Sequence, residues 1–442
     1  MTIWKDKITK LTSEFKRNKT KFLFDTFNWL LLFALFVSLP LFSISHHLVP
    51  IILTILLSVS LFISIFLFGK FHINFFIIFM AAFLLHAIFV TFIFSKNFSN
   101  LKTFINIILL FFVLCEFCYY TKNIRLIMLL YILSILLFSI VFLVYYHSSI
   151  VLFFSGKNIR IGDDFDNVNS VASFLLAACV MSFAYILMYK KYVIEILTIA
   201  MALLCILMTG SRMAILGFLI TIITFAFLLL FKKHKLILFI SLTVFAIAII
   251  LVFSIPAFGI LKERILSIFT TLFSDGSDQS TANRFGMLLN GLDNWLKNAF
   301  LGWGAGGFGY VSAKTSYSHA TLSDVLCNFG LIGTFLFFSP MFYCLFTTKR
   351  GSKSFIFFVL FILGFVLIGM FGTVILQRKH LYIMLAIGYF IYSEEHFNEL
   401  SYFDISFLKM EGIKKKFGFQ IVSNVGKSLI TIRSTIKEIK YE

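Results

Sequence analysis

The chain has 442 residues, of which 60% are hydrophobic and only 13% charged, with a mean hydropathy of +0.98. That composition excludes a water-soluble globular domain. A formal charge of +18 would suggest nucleic acid in a soluble protein, but Lys and Arg flanking membrane spans account for it, so no nucleic-acid partner is expected.

In chain order, a basic cytoplasmic start (1–23, Lys5 to Lys21) runs into an apolar stretch with no small-residue cleavage site, so the first span is expected to be its own targeting signal. The apolar runs predict twelve spans, at about 24–44, 49–69, 73–94, 103–121, 126–146, 168–189, 192–209, 213–231, 236–255, 322–346, 354–376 and 381–393. The fold class is therefore an all-α polytopic membrane protein of about 12 transmembrane helices. Nine spans fill 24–255, one long structured external loop covers 256–321, three more spans fill 322–393, and a tail follows at 394–442. The tail mixes basic and acidic residues with Phe, Ile and Leu, a pattern for amphipathic helices lying on the inner leaflet. With the N-terminus inside, 26 Lys and Arg fall on the cytoplasmic side and 12 outside. The positive-inside rule then puts both termini in the cytoplasm and the loops 147–168, 210–212 and 256–321 on the external face.

All six cysteines lie in or beside apolar runs, and the Cys115/Cys118 pair reads as core packing, because a metal or redox site would need a second pair or a nearby His. The acids Asp163, Asp164 and Asp166 directly precede the sixth span, where capping and dipole pairing explain them better than a divalent cation. No cofactor and no metal are expected.

Chemistry is expected at the external face. The loop carries helical periodicity at 261–269 and 283–296, the second with Ser280 or Thr281 as its N-cap, so it should fold over the membrane surface. The glycine-rich run Gly302-Trp303-Gly304-Ala305-Gly306-Gly307-Phe308-Gly309 suits a flexible return to the membrane or a phosphate cradle. Arg212, beside Gly210 and Ser211 between two apolar runs, must either snorkel to the surface or face a polar cavity where it could hold an anion. Arg284 opens the predicted loop helix, an end at which a cation opposes the helix dipole and an external anion would offset the mismatch. His319, just ahead of the tenth span, reads as a polar cap or as a general base, since imidazole titrates near neutrality. Asp324, about one turn deeper, reads as a partner for that histidine or as a helix-start carboxylate.

Taken together, Thr209-Gly210-Ser211-Arg212 opening a span, Asn283-Arg284-Phe285 on a long loop, Gly302-Trp303-Gly304 after it, and His319 ahead of Asn328-Phe329-Gly330-Leu331-Ile332-Gly333 resemble the O-antigen ligase/polymerase superfamily of bacterial membrane glycosyltransferases. The resemblance covers about 163–346; the family often has Asn after its histidine, where this chain has Ala320. It implies a GT-C-like helical fold in the bacterial inner membrane, with its active site on the external, periplasmic side. The expected donor is a glycan on undecaprenyl diphosphate, and the expected acceptor is a second glycan. Membrane lipids surround the site, and the chemistry leaves room for a chain-length regulator protein. Arg212 and Arg284 match the family's essential arginines and would bind the diphosphate; His319 matches its catalytic histidine, with Ser211 and Asp324 as supporting residues. The implied reaction is metal-independent, inverting polymerisation of repeat units. A ligase moving finished polymer to lipid A-core is the nearest alternative. A flippase or transporter is the alternative of another class, and it would rely on the intramembrane His86 and Glu116.

Overall fold

A computed structural model describes residues 2–41, 48–69, 71–155, 161–162, 164–165, 167–230, 279–312, 318, 320–372, 375–396, 402–403, 422–425 and 428–431. Apolar segments in lipid become helices because a lone segment can satisfy its own N–H and C=O groups in no other way. The elements are α1 (Thr2–Leu41), α2 (Leu48–Phe68), β1 (Phe71–His72), α3 (Phe75–Ile93), α4 (Phe98–Thr121), α5 (Ile124–Tyr145), α6 (His147–Phe154), α7 (Val168–Tyr189), α8 (Val193–Thr209) and α9 (Arg212–Leu230). Next come α10 (Gln279–Leu296), α11 (Gly307–Ser312), α12 (Thr321–Thr347), α13 (Lys353–Phe361), α14 (Leu367–Gly372), α15 (Lys379–His396), β2 (Tyr402–Phe403), β3 (Val422–Val425) and β4 (Ser428–Thr431). Among the described residues, nine helices are long and apolar enough to cross a membrane, and Val193–Thr209 is a shorter apolar one. The protein is an all-α polytopic membrane protein; the predicted span 236–255 and the predicted helix 261–269 lie outside the described residues.

Asparagines begin four of these helices. The side-chain oxygens of Asn74, Asn97, Asn123 and Asn167 accept backbone N–H groups of Ile77, Asn100, Leu126 and Asn169 at 2.9, 3.1, 3.2 and 3.0 Å. Each such cap satisfies a donor that the first turn leaves without an intrahelical partner. The bundle's axis is α7, 89% buried over its span. Its Ala172, Ala177, Ala178 and Ala184 let neighbours approach closely. On one side α9 packs at Gly217, whose place a Cβ would fill only by meeting Leu176 of α7 and, at 2.9 Å, the Gly364 carbonyl. Gly364 belongs to the π-helical segment Ile362–Val366 that joins α13 to α14. α15 is buried from His380 through Ser393, so it runs inside the bundle.

Several expectations change. The basic start is helical from Thr2 and continuous with the first span. In the tail, Tyr402–Phe403 pairs antiparallel with Phe71–His72 and Val422–Val425 with Ser428–Thr431; the rest of 397–442 lies outside the described residues. All six cysteines are buried free thiols, as expected for packing. His86 and Glu116 are engaged: a His86 ring nitrogen bonds the Phe329 carbonyl at 2.9 Å, and Glu116 accepts the His72 N–H at 3.2 Å.

Candidate functional site

α8 ends at Gly210 in the left-handed region (φ 62°), which glycine adopts without a Cβ penalty. The chain turns at Ser211 and α9 begins at Arg212. The Ser211 carbonyl accepts the Ile215 N–H at 3.1 Å, as the residue capping a helix does. Its hydroxyl donates to Asn169 Oδ1 of α7 at 3.0 Å. Arg212 is half-buried and occupies the first position of a helix. There the helix dipole disfavours a cation by about 0.3–1 kcal/mol and favours an anion.

Other helix starts meet at this end of the bundle. Ser170, next to Asn169, accepts a hydrogen bond from Arg378 Nη1 at the entrance of α15. The Ile375 N–H, three residues before that arginine, donates to Thr321 Oγ1 at the start of α12 at 2.9 Å. The beginnings of α7, α9, α12 and α15 are thus joined by side-chain hydrogen bonds. In α12, the buried Asp324 accepts from Asn328 Nδ2 at 3.0 Å and from the Ser318 N–H at 3.5 Å. Asp324 therefore fixes the main chain one residue ahead of position 319. The Ser318 hydroxyl adds a 2.8 Å bond to the Ala320 carbonyl.

The glycine-rich run has a structural use that neither expectation anticipated. Gly330 interrupts α12 with φ 62° and ψ −166°, releasing main-chain groups on both sides of the break. The run fills them: Trp303 and Gly304 N–H donate to the Cys327 and Asn328 carbonyls at 2.9 and 2.6 Å, and Leu331 and Ile332 N–H donate to the Ala299 and Phe300 carbonyls at 2.8 and 3.2 Å. Ala305 N–H donates to Thr91 Oγ1 at 2.8 Å and Phe308 N–H to Asn328 Oδ1 at 2.8 Å. The amides of Gly302, Trp303, Gly304, Ala305, Gly307 and Phe308 are thus directed at protein acceptors. Gly302, Gly304 and Gly330 all have positive φ, and a Cβ on Gly304 would come within 2.6 Å of the Thr91 Cα.

This clasp gives a paired test. Gly330→Ala should lower the melting temperature in detergent by several degrees, since that φ/ψ combination is essentially reserved for glycine and costs another residue about 1–3 kcal/mol, and the Cβ would press on Phe300 and Gly302 main chain. Gly286→Ala, with nothing within 4 Å of its Cβ, should instead hold or raise it through helix propensity. Equal melting temperatures for the two variants would refute the clasp.

α10 is already helical at Gln279, so Ser280 and Thr281 lie within it and neither caps it. Residue 284 is then beyond the first turn, and the dipole argument made for Arg284 loses its force, because that effect fades within one turn. The argument holds at Arg212 instead. Position 284 sits two turns ahead of Gly291, on the same helical face; Gly291 is seated against Ser323 of α12, where a Cβ would lie 3.0 Å from the Ser323 Cβ. The Arg284 side chain and His319 lie outside the described residues, as do Asp163 and Asp166 of the acidic run. Asp164 accepts from the Tyr146 hydroxyl at 2.8 Å. The structure brings Ser211, Arg212 and Asp324 to one end of the bundle and adds Asn169, Ser170 and Arg378, which the sequence motifs did not include. The signal for Arg378 was the same one that singled out Arg212: a cation at the expected external end of a span.

Comparison with known families adds one finding. The model of a family described as O-antigen ligase matches residues 196–338, a segment containing Ser211, Arg212, Arg284, His319, Asp324 and Gly330 but not Asn169, Ser170 or Arg378. No curated protein matches the chain.

Proposed function

From its membership of the O-antigen ligase/polymerase superfamily of glycosyl-transfer enzymes, we infer that the chain polymerises undecaprenyl-diphosphate-linked oligosaccharide repeat units at the external face of the bacterial inner membrane. Both termini are cytoplasmic in this reading. The observation that carries it is Arg212 at the first position of α9, tied through Ser211 to α7 beside the starts of α12 and α15. That arrangement suits an anionic headgroup rather than a snorkelling anchor.

The chemistry follows from the donor. Its diphosphate is already a good leaving group, so the protein has mainly to stabilise charge as the anomeric C–O bond breaks and the electron pair departs with undecaprenyl diphosphate. Arg212 and Arg284 do this with bidentate charge-assisted hydrogen bonds, in place of a divalent cation. An acceptor hydroxyl attacks the anomeric carbon from the opposite side, forming the new C–O bond with inversion, and His319 takes its proton. Asp324, through Ser318, positions the segment that carries that histidine.

The ligase reading differs only in its acceptor. Polymerisation is preferred because it serves bacteria with or without an outer membrane, whereas the ligase requires lipid A-core. Purified protein incubated with lipid-linked repeat units should build longer lipid-linked chains, and a chelator should leave the rate unchanged. Transfer only when core lipid is added would make the chain a ligase; loss of activity with chelator, restored by a divalent cation, would overturn the metal-independent step.

A further inference from the structure

We propose that Asp25, Asn28, Ser64 and Tyr120 form a binding site for a small monovalent cation, at the end of the bundle opposite to Arg212. The site is independent of the polymerase reading. Arg125, five residues after Tyr120, fixes which end this is: its Nε donates to the Tyr185 hydroxyl at 3.1 Å. Tyr185 lies fifteen residues along α7 from Ser170, about 22 Å at 1.5 Å per residue.

Three helices meet at the cluster. The Tyr120 hydroxyl of α4 donates to Asp25 Oδ1 of α1 at 2.7 Å. Asn28 is three residues on from Asp25 and shares its face of α1; its Nδ2 donates to Ser64 Oγ of α2 at 2.9 Å. Ser64 gives its single hydroxyl proton to the Ser60 carbonyl at 2.9 Å. It can therefore only accept from Asn28, so the amide must present its nitrogen to Ser64 and its oxygen elsewhere. Ser64 also neighbours the Tyr120 hydroxyl. Packing sets these side chains from behind. The Tyr120 ring covers Gly69, where a Cβ would lie 3.1 Å from it, and the Trp29 and Phe117 rings meet edge to face at 4.8 Å.

The cluster is rich in acceptors and short of donors. Asn28 is 1% exposed and its Oδ1 has no hydrogen-bond partner; the hydroxyl of Ser60, one turn away on α2, is buried and likewise without one. Asp25 lies within the first span. Among the described residues no cationic side chain pairs with it, and Lys21, one turn earlier, is exposed. Buried oxygens in a native fold are met by a donor or a cation in nearly every case, and an acid within a span is usually paired. A carboxylate, an amide oxygen and two hydroxyls are the hard oxygen ligands that hard cations take. One carboxylate balances one positive charge, which favours sodium or potassium over a divalent ion. Such an ion ties α1 and α2 to α4.

The test follows thermal unfolding of the full-length protein in detergent, prepared in choline salts and titrated with sodium, potassium or choline chloride at constant ionic strength. Sodium or potassium should raise the melting temperature along a saturating curve, because a ligand held by the folded state alone stabilises it by mass action. Choline, too large for the cluster, should not. Asp25→Asn keeps an acceptor for Tyr120 and should flatten the curve. Asp164→Asn is the control: Asp164 accepts from the Tyr146 hydroxyl at 2.8 Å, a bond of the same kind elsewhere in the chain, and its variant should respond as the wild type does. Should Asp25→Asn fail to accumulate, Asn28→Leu, of similar volume, carries the test, and its half-point should rise about 10-fold or more. Equal melting temperatures in the three salts would mean that water meets these oxygens and would overturn the proposal. So would a sodium or potassium response that survives unchanged in Asp25→Asn or Asn28→Leu. Whichever ion acts at the lower concentration identifies the occupant.

Discussion

In the proposed polymerisation, elongation of lipid-linked glycan should fall by about 10²- to 10³-fold when Arg212 is replaced by Ala, the usual consequence of removing one preorganised donor from a site of developing charge. The magnitude rests on place as much as on charge. Arg212 begins α9, its turn is locked by the left-handed Gly210 and by the Ser211 to Asn169 bond, and five residues on, the close contact at Gly217 fixes the helix against α7 and the π segment. The main chain from which the guanidinium extends is therefore held in place. Arg212→Lys keeps the charge but loses the planar fork, and should recover only part of the rate. Gel analysis of glycan length in cells, at matched protein level, measures both variants. Long chains made by Arg212→Ala at the normal rate would remove this residue from the reaction.

His319→Ala should cost about 10²- to 10⁴-fold, the range for a positioned general base. The base takes the acceptor proton only in its neutral form, so the wild-type rate should fall off on the acid side. In His319→Ala that acid limb should vanish along with most of the activity, while donor binding persists because the arginines remain. The two lesions are thus separable, one through donor affinity and rate together and the other through rate and pH profile. A His319→Ala variant with the wild-type profile would assign the proton to another group.

Much of the helical architecture was legible because lipid leaves the backbone so few choices. Runs such as 168–189 coincide with a helix, Val168–Tyr189, and even the short run 381–393 corresponds to α15. α15 read as short because charge at its ends dilutes its hydropathy, although it runs through the interior. What the pattern could not convey is tertiary. The break at Gly330 lies inside an unbroken apolar run and exists because 299–304 supplies the hydrogen bonds that the helix gives up. The strand at Tyr402–Phe403 depends on a partner more than 300 residues away in sequence, beginning at Phe71. At the candidate site, Ser211, Arg212 and Asp324 stood out through local oddity, a polar or charged group beside apolar runs. Asn169 and Ser170 did not, because an asparagine and a serine at a helix start are ordinary until one sees what reaches them. The helix dipole acts on Arg212 rather than on position 284, because α10 begins by Gln279, ahead of the apolar periodicity of 283–296.

The joint between 299–304 and 327–332 consists of peptide groups and glycines. Apart from side chains such as Thr91, Asn298 and Asn328, which bond its main chain, its geometry uses few side chains, and Phe300, Leu331 and Ile332 are exposed around it. A lineage could exchange those residues freely while the scaffold behind them stays in register. An inherited frame of main-chain bonds is thereby kept apart from a lining that is free to vary.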